Sequence, residues 1–305
     1  MDQEYQLIIL GGGPAGLSAG IYAARDKLNT LLIEKAMMGG LAIYSESIEN
    51  YPGFPEGIGG MELGDLMLKQ GEKFGLKTLA AEVGSLEING TKKIVKTAEG
   101  DFAAQAVIIA LGSARINLEV PGEKEFVGRG VSYCATCDAA FFKNRTVAVV
   151  GGGNSAISEA LHLAKFASNV NVIHRRDQWR ATPAAVDKVK TEPKISFILN
   201  TIVESVEGRD NVEQVKLKDV KTGQKSVLPV AGVFVAIGQR PNTDFLKGIV
   251  KLDANGYILV NENMETSVPG VLAAGDIRSN SIRQVISAAG DGATAAIYAG
   301  RFIGE

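Results

Sequence analysis

The sequence contains few cysteines, few histidines and no long apolar run, and each shortage excludes a class of protein. Two cysteines and two histidines in 305 residues do not make the disulfide-rich scaffold of a small secreted protein. No apolar run approaches the ~20 residues of a membrane-spanning helix. Residues 1–5 are acidic and lead directly into a predicted strand, unlike a secretory signal. We therefore expect a cytoplasmic protein without a membrane segment.

An excess of positive charge is also missing. The chain has 32 lysines and arginines against 34 aspartates and glutamates, mixed along its length. Because a nucleic-acid-binding surface needs a basic patch, no nucleic-acid partner is expected. Hydrophobic residues make up 46% of the chain, which is enough for a large core at this length and suggests two domains.

Glycine, by contrast, is abundant, with 36 residues that cluster where predicted strands meet predicted helices. The apolar run at residues 6–10 predicts a buried parallel strand, and a Gly-x-Gly-x-x-Gly loop, a helix and a second strand follow it. Gly11 permits a tight turn, Gly13 lets the backbone approach a pyrophosphate, and Gly16 lets the helix pack closely on the strand. Glu34 ends the second strand, 23 positions after Gly11, where an acid can bind a ribose hydroxyl. This context predicts a dinucleotide site.

The same pattern occurs a second time, with a different residue at the ribose position. A strand at 147–150 leads into a Gly-x-Gly-x-x-Ala loop that begins at Gly151, and the next strand ends 23 positions later. Basic residues occupy that end: His174, Arg175, Arg176 and, one turn further on, Arg180. Guanidinium groups suit the charge and the bidentate geometry of a 2′-phosphate. The second site is therefore predicted to bind NADP(H) and the first a dinucleotide without a 2′-phosphate; a solvated basic loop is the alternative.

The two cysteines, Cys134 and Cys137, stand three positions apart, and Asp138 follows directly. On a turn or a first helical turn their sulfurs can come within bonding distance, so a redox disulfide is the main interpretation. A zinc site would need about four ligands, and the other soft candidates, His162 and His174, are explained better as a structural residue and as part of the second loop. Two unrelated buried thiols are a third possibility. Asp138 is either the proton donor that a dithiol cycle requires or a solvated acid at a helix start.

The rest of the chain reads as further α/β structure. Residues 61–75 predict an amphipathic helix, and residues 77–114 predict short strands. An apolar strand that ends in glycine occurs at 107–112 and again at 233–238, and each is expected to close one nucleotide-binding unit. Residues 271–276 predict a strand that ends in an acid, before a helix of small residues from 288 to 302.

These features together resemble the low-molecular-weight thioredoxin reductases, class II of the pyridine nucleotide-disulfide oxidoreductases, along nearly the whole chain. The resemblance depends on five motifs in order: the first glycine loop with Glu34, the Glu-Asn-Tyr-Pro-Gly stretch at 49–53, Cys-Ala-Thr-Cys-Asp at 134–138, the second loop with its His-Arg-Arg-x-x-x-Arg, and Gly-Asp at 275–276 followed by Arg-Gln at 283–284. It implies an α/β fold of two three-layer, Rossmann-like domains, the second inserted into the first. Residues 1–114 and 244–305 would form the FAD domain, and residues 115–243 an NADPH domain that carries the disulfide. It also implies a homodimer.

The resemblance further implies a role for individual residues. The FAD site would be formed by Gly11, Gly13, Pro14, Ala15, Gly16, Glu34, Lys35 and Gly40 around the ADP half and by Asn50, Asp276, Arg283, Gln284 and Val285 around the flavin half. The NADPH site would be formed by Gly151, Gly153, Asn154, Ser155, His174, Arg175, Arg176 and Arg180. Cys137 would face the flavin, Cys134 would attack the disulfide of a thioredoxin, and Asp138 would be the acid.

Two residues depart from the family pattern near the expected flavin. Leu41 stands where the family usually has Gln, and Ile282 where it usually has Tyr. These changes bear on the tuning of the flavin and on the electron donor. Two alternative functions remain: an enzyme that takes electrons from ferredoxin, and one that uses the same site to oxidise a small dithiol with oxygen. The arginines at the second loop argue against ferredoxin, and a non-enzymatic flavin sensor would not need the cysteines.

The expected enzyme needs domain motion. One cysteine pair cannot lie against a flavin and be exposed to a protein partner at the same time. We therefore expect hinges near residues 113–114 and 240–242.

Overall fold

The computed structural model describes residues 3–45 and 47–304, with only the backbone of Gln3. The chain divides into two compact units, one from residues up to Ala114 together with those from Arg240 onward, and the other from Arg115–Gln239. The boundary at Gln239 precedes the sequence-based one at 243 by a few residues. The strands Ser113–Arg115 and Gln239–Pro241, which connect the units, form a two-stranded sheet.

The first unit begins with a βαβ unit. Strands β1 to β7 are Gln3–Leu10, Thr30–Glu34, Lys77–Ala80, Val83–Asn89, Lys92–Thr97, Gly100–Ile109 and the connecting strand Ser113–Arg115. Helices α1 and α2 are Pro14–Arg25 and Gly60–Lys73, and a 3-10 helix spans Gly40–Tyr44. The predicted helix over 61–75 is thus present and starts one residue earlier.

The second unit contains strands β8 to β15 at Val131–Ser132, Thr146–Val150, Asn169–Ile173, Ile195–Ile198, Thr201–Gly208, Val212–Asp219, Lys225–Pro229 and Gly232–Val235. Its helices are α3 Ala135–Asp138, α4 Asn154–Leu163 and α5 Pro183–Lys190, with a 3-10 turn at Ala139–Phe142. The chain then returns to the first unit through β16, Gln239–Pro241, a 3-10 turn at Asp244–Leu246 and β17, Val271–Ala273. A 3-10 turn at Gly275–Ile277 and the long helix α6, Val285–Gly304, complete it.

The sheet of the first unit brings its loops to one edge. Its described strands run in the order β3-β2-β1-β6-β5-β4, and β17 pairs with β6. Strands β3, β2, β1, β6 and β17 are mutually parallel, with Leu10 opposite both Ile33 and Ile109, and Ala273 opposite Ile109. Because the carboxyl ends of parallel strands meet at one edge, the glycine loop, Glu34 and the Gly-Asp pair lie together there.

The second unit has three layers. Five parallel strands run in the order β11-β10-β9-β15-β8. One face packs on the helices through Val147, Val170 and Phe234, and the other packs against the antiparallel sheet β12-β13-β14 through Ala148, Ile173 and Val233. A strand covered on both faces is apolar at consecutive positions, which is why these strands read as unbroken apolar runs. Both units therefore have the Rossmann-like α/β fold that the sequence predicts. Among the described residues, no helix is both long enough and apolar enough to cross a membrane.

Candidate active site

Cys134 and Cys137 are joined by a disulfide, with their Cα atoms 5.3 Å apart. Cys134 is the N-cap of α3, and its Sγ accepts a hydrogen bond from the backbone N–H of Cys137 at 3.2 Å. The helical turn brings positions i and i+3 together, as the spacing predicts. The bond between the sulfurs contradicts the two alternatives from the sequence, a zinc-binding pair and two unrelated thiols.

Asp138 is held beside this disulfide by Ser132, a residue that the sequence analysis missed. The buried Ser132 hydroxyl donates to Asp138 Oδ2 at 2.5 Å, and Ser132 Oγ also accepts from the Cys134 N–H at 3.1 Å. One hydroxyl thus links the backbone of the first cysteine to the carboxyl group of the acid. Asp138 is half-buried, so it is not the solvated helix-start acid of the alternative interpretation.

The residue before Cys134 anchors the disulfide segment from the other side. The Tyr133 hydroxyl donates to Glu123 Oε1 at 2.9 Å, and the fully buried Glu123 carboxylate also accepts from the N–H groups of Leu118 and Glu119, each at 2.8 Å. Burial and the Glu123 carboxylate raise the pKa of Tyr133, so the phenol stays neutral and keeps its proton for this bond. The Arg115 guanidinium lies over the Tyr133 ring, 4.6 Å from its centroid. Hydrogen bonds on both sides therefore fix the backbone at Cys134.

The first glycine loop is a bare backbone cradle. Gly11 has φ of +106°, which favours glycine, and a Cβ on Gly16 would lie 1.8 Å from the Gly11 carbonyl oxygen. A Cβ added to Gly13 would meet nothing closer than the Gly40 Cα at 3.9 Å. Free space beside the half-buried Gly13 at a helix N-terminus is what a pyrophosphate requires, so this loop fits the expected dinucleotide.

Glu34 is attached directly to that loop. Its Oε2 accepts from the Gly12 N–H at 2.6 Å, and its Oε1 accepts from the Ala36 N–H at 2.9 Å. Lys35 points elsewhere and forms an exposed ion pair with Glu82 at 2.9 Å. The structure thus brings Glu34 to the loop, whereas a contact between Lys35 and the cofactor stays a prediction.

The residues expected around the flavin come from distant parts of the chain and meet at the N-terminus of α6. Asn50 Nδ2 donates to Gln284 Oε1 at 3.1 Å, although 234 positions separate them. Asp276 Oδ1 accepts from the Ser281 hydroxyl at 2.8 Å, and burial raises the pKa of the Asp276 carboxyl. Val285 begins the helix.

The N-terminus of α1 lies against these same segments. Pro14 and Ala15 open α1, and a Cβ on Gly292 of α6 would lie 2.0 Å from the Ala15 carbonyl oxygen. Gly292, one of the small residues that the sequence shows in α6, thus permits a close approach to the first turn of α1.

At the second glycine loop His174 packs as a wall of the loop. The residue is 6% exposed, and a Cβ on Gly152 would lie 2.2 Å from its ring. The ring stacks on Trp179 with centroids 5.5 Å apart, and Nε2 lies 3.1 Å from the Gln178 carbonyl oxygen. Burial lowers the pKa of His174, and the charges of the neighbouring arginines lower it further. The ring is therefore neutral at pH 7, and its expected contact with a 2′-phosphate stays a prediction.

The three arginines of this loop are exposed cations. Within residues 3–45 and 47–304, no carboxylate forms an ion pair with Arg175, Arg176 or Arg180. The backbone N–H of Arg180 donates to the Gly152 carbonyl at 2.8 Å, so the arginine segment is tied to the glycine loop. Their positive charge is thus available to an anion at the carboxyl end of β10.

The start of α4 completes this loop. Asn154 Oδ1 accepts from the Thr182 N–H at 2.8 Å, and Ser155 lies exposed next to it. A Cβ added to Gly153 would meet nothing within 4 Å, so the backbone here is open in the same way as at Gly13. The ring of His162, further along α4, packs against the ring of Phe166 with centroids 5.6 Å apart, in keeping with a structural role.

Leu41 and Ile282, the two departures from the family pattern, lie on the surface of the first unit. Leu41 is 36% exposed and Ile282 is 72% exposed. Neither supplies the hydrogen-bonding group that Gln or Tyr would carry there.

Comparisons with known proteins agree with these features. The family model for pyridine nucleotide-disulphide oxidoreductases matches residues 5–292. The thioredoxin reductase of Mycolicibacterium smegmatis is 44% identical over 302 residues, which cover 99% of this chain and 97% of that protein. The bifunctional thioredoxin reductase/thioredoxin of Mycobacterium leprae is also 44% identical, and the match covers 99% of this chain but 66% of that longer protein.

A solved structure gives the same result for the fold. The crystal structure of thioredoxin reductase from Streptococcus pyogenes superposes with a TM-score of 0.96 at 40% identity, covering 100% of this chain and 99% of that one. With a bonded Cys-x-x-Cys pair and two glycine loops at the carboxyl ends of parallel strands, this chain belongs to the pyridine nucleotide-disulphide oxidoreductase family.

Proposed function

We propose that the chain is a thioredoxin-disulfide reductase that takes electrons from NADPH and uses FAD and the Cys134–Cys137 pair. The observation that carries the proposal is the bonded pair on the same unit as a glycine loop flanked by arginines that pair with no carboxylate of the described residues. We assign FAD to the first unit and NADPH to the second. When bound, FAD would accept a hydride equivalent from the nicotinamide and supply the electron pair that reduces the disulfide.

The first unit has the groups that FAD needs. The backbone of the first glycine loop at Gly13, where a Cβ would meet nothing closer than 3.9 Å, would take the pyrophosphate, and Glu34 would accept hydrogen bonds from ribose hydroxyls. The Asn50–Gln284 pair and the segment from Asp276 to Arg283 supply amide, carboxyl and guanidinium groups for the ring and the ribityl chain.

The second unit has the groups that distinguish NADPH from NADH. Arg175, Arg176 and Arg180 bring three positive charges to the end of β10 without a neutralising carboxylate in the described chain. A 2′-phosphate would supply the missing negative charge. Reduced ferredoxin as the donor would leave these arginines without a role.

The chemistry at sulfur follows from the cysteine pair. In the reduced pair, the Cys134 thiolate attacks one sulfur of the partner's disulfide, and the other partner sulfur leaves with the bonding electrons and takes a proton. The Cys137 thiolate then attacks Cys134 in the mixed disulfide, which restores the Cys134–Cys137 bond and releases the second partner sulfur for protonation. The partner gains two electrons and two protons, and the pair is oxidised. We assign to Asp138, whose carboxyl group accepts a hydrogen bond from the Ser132 hydroxyl, the role of holding and moving a proton at these sulfurs.

Thioredoxin is the partner that the relatives' names support. The Mycobacterium leprae relative carries both thioredoxin reductase and thioredoxin in its name. We further propose that the enzyme is a cytoplasmic homodimer, as the resemblance to its family implies.

One experiment tests the function against its rivals. The purified protein is mixed without oxygen with NADPH, NADH or reduced ferredoxin, and flavin bleaching is followed. NADPH should bleach the flavin fastest. Faster bleaching by ferredoxin would contradict the assignment. In a second experiment a small dithiol is the reductant and oxygen is then admitted; flavin bleaching and reoxidation there, without electron transfer to thioredoxin, would favour the dithiol oxidase.

A further inference from the structure

Arg283 adopts a backbone conformation that arginine rarely takes. Its φ is +62°, in the left-handed region where a Cβ clashes with the following carbonyl. Asparagine tolerates this region, and three of the other described non-glycine residues there, Asn144, Asn200 and Asn280, are of that type. A strained arginine persists only where its surroundings hold it, and such strain concentrates at functional sites.

Two contacts hold Arg283 from opposite ends. At its backbone, the N–H donates to Ser281 Oγ at 3.1 Å, and the same hydroxyl donates to Asp276 Oδ1 at 2.8 Å. At its side chain, Nη2 donates to the Tyr257 hydroxyl oxygen at 3.1 Å, and the guanidinium carbon lies 5.6 Å from the centroid of the Tyr257 ring. The arginine is thus connected to the predicted flavin acid at one end and to an aromatic ring at the other.

Tyr257 is itself rigid, so it can act as a support. It is 8% exposed, and its backbone N–H donates to Asp253 Oδ1 at 2.9 Å while its carbonyl accepts from the Asp253 N–H at 2.8 Å. The next residue, Ile258, is fully buried and donates its N–H to the Ile277 carbonyl at 3.0 Å. Burial raises the pKa of Tyr257, so the phenol is neutral and its oxygen can accept from the guanidinium.

We propose that Tyr257 is a positioning residue of the flavin site, which holds the Arg283 guanidinium so that its remaining N–H groups bind an oxygen or phosphate acceptor of FAD. The inference rests on the proposed function. Guanidinium has five N–H donors in a rigid plane, and Tyr257 fixes that plane with one hydrogen bond and one ring face. Tyr257 carries no signal in the sequence for this role, because it lies 26 positions before Arg283. The preceding residue, Ile282, has no group for this purpose.

The direct test is the affinity of the apoprotein for FAD, measured by quenching of flavin fluorescence. Tyr257→Phe keeps the ring but removes the oxygen that accepts from Arg283. We expect FAD to bind about tenfold more weakly, the ordinary effect of losing one hydrogen bond to a charged group. Tyr298→Phe is the matched control, because the Arg301 guanidinium lies 4.6 Å from that ring, away from the residues of the site. Its FAD affinity should stay within about twofold of the parent.

A double-mutant cycle separates positioning from a general structural effect. If Tyr257 acts through Arg283, Tyr257→Phe should cost almost nothing further in an Arg283→Gln background. The proposal would be overturned if Tyr257→Phe weakened FAD binding equally in both backgrounds, or if it did not weaken FAD binding in the parent. Ser281→Ala, which releases the backbone end of Arg283, gives an independent variant should Tyr257→Phe fail to fold, and a similar tenfold loss is expected. A parent protein that binds no FAD would overturn the proposed function as well, so the two failures are distinguishable.

Discussion

Glu159→Gln should change how the stability of the second unit depends on pH. Glu159 lies on α4, and its Oε2 is buried without a hydrogen-bond partner among the described residues. Burial raises the pKa of its carboxyl from the ordinary 4.5 to about 8. The folded protein therefore keeps this proton at pH 7, whereas the unfolded chain releases it.

The size and sign of the effect follow from proton linkage. The pKa difference, 8 minus 4.5, is about 3.5, and each pKa unit is worth about 1.4 kcal/mol. The free energy of unfolding of the parent can therefore fall by at most about 5 kcal/mol through this group as the pH rises. The folded-state pKa is the higher one, so the stabilising contribution is complete below pH 4.5 and is lost as the pH rises to 8. Glutamine keeps the shape but cannot ionise. Between pH 5 and pH 8 the free energy of unfolding of the variant should therefore rise by several kcal/mol relative to that of the parent.

The chain supplies its own probe for this measurement. Trp179 is its one tryptophan and lies in the second unit, stacked on His174. Urea unfolding followed by Trp179 fluorescence at several pH values reports that unit, and the titration of His174 cancels between parent and variant. Glu213→Gln, at an exposed position on β13, is the control and should follow the parent at every pH. A gap between Glu159→Gln and the parent that stays constant from pH 5 to pH 8 would refute the reasoning.

Three further predictions test other parts of the account. Replacing Arg175 and Arg176 with Gln should weaken NADPH binding by roughly tenfold or more per arginine and leave NADH nearly unchanged, as measured by titration; equal weakening of both would show that they do not bind the 2′-phosphate. Gly16→Ala places a Cβ 1.8 Å from the Gly11 carbonyl oxygen and should lower both the melting temperature and the FAD content, whereas Gly290→Ala, with nothing within 4 Å, should lower neither; an unaffected Gly16→Ala protein would contradict the close packing of the loop. An engineered crosslink between the two units should abolish thioredoxin reduction and spare at least one half-reaction in stopped-flow experiments, and full turnover in the locked protein would rule out the hinge.

The parts of this fold that the sequence predicts are those set by local patterns. An apolar run, a Gly-x-Gly-x-x-Gly loop and a helix form a βαβ unit because only glycine permits the turn at Gly11 and the close approach at Gly16. The same reasoning finds the second loop at Gly151. The Cys134–Cys137 bond follows equally from the spacing, since positions i and i+3 meet on one helical turn.

The parts that the sequence did not predict depend on contacts between distant segments. Only the family resemblance puts Asn50 and Gln284 at the same site, and nothing in the sequence connects Tyr257 with Arg283, because these pairs meet only in the folded chain. Ser132 resembles any strand serine until the structure shows its hydroxyl hydrogen-bonded to two of the predicted site residues, Cys134 and Asp138. His174 reads as one of a basic group, but Trp179, five positions later, covers its ring and keeps it neutral.

The central claim is that electrons from NADPH reach thioredoxin through Cys134. The most direct measurement compares the parent with Cys134→Ser, each loaded with FAD, in two assays: flavin bleaching by NADPH and reduction of a thioredoxin disulfide. Both proteins should bleach, because the hydride step does not need that sulfur, and only the parent should reduce thioredoxin. Reduction of thioredoxin by Cys134→Ser at a rate near that of the parent would contradict the account.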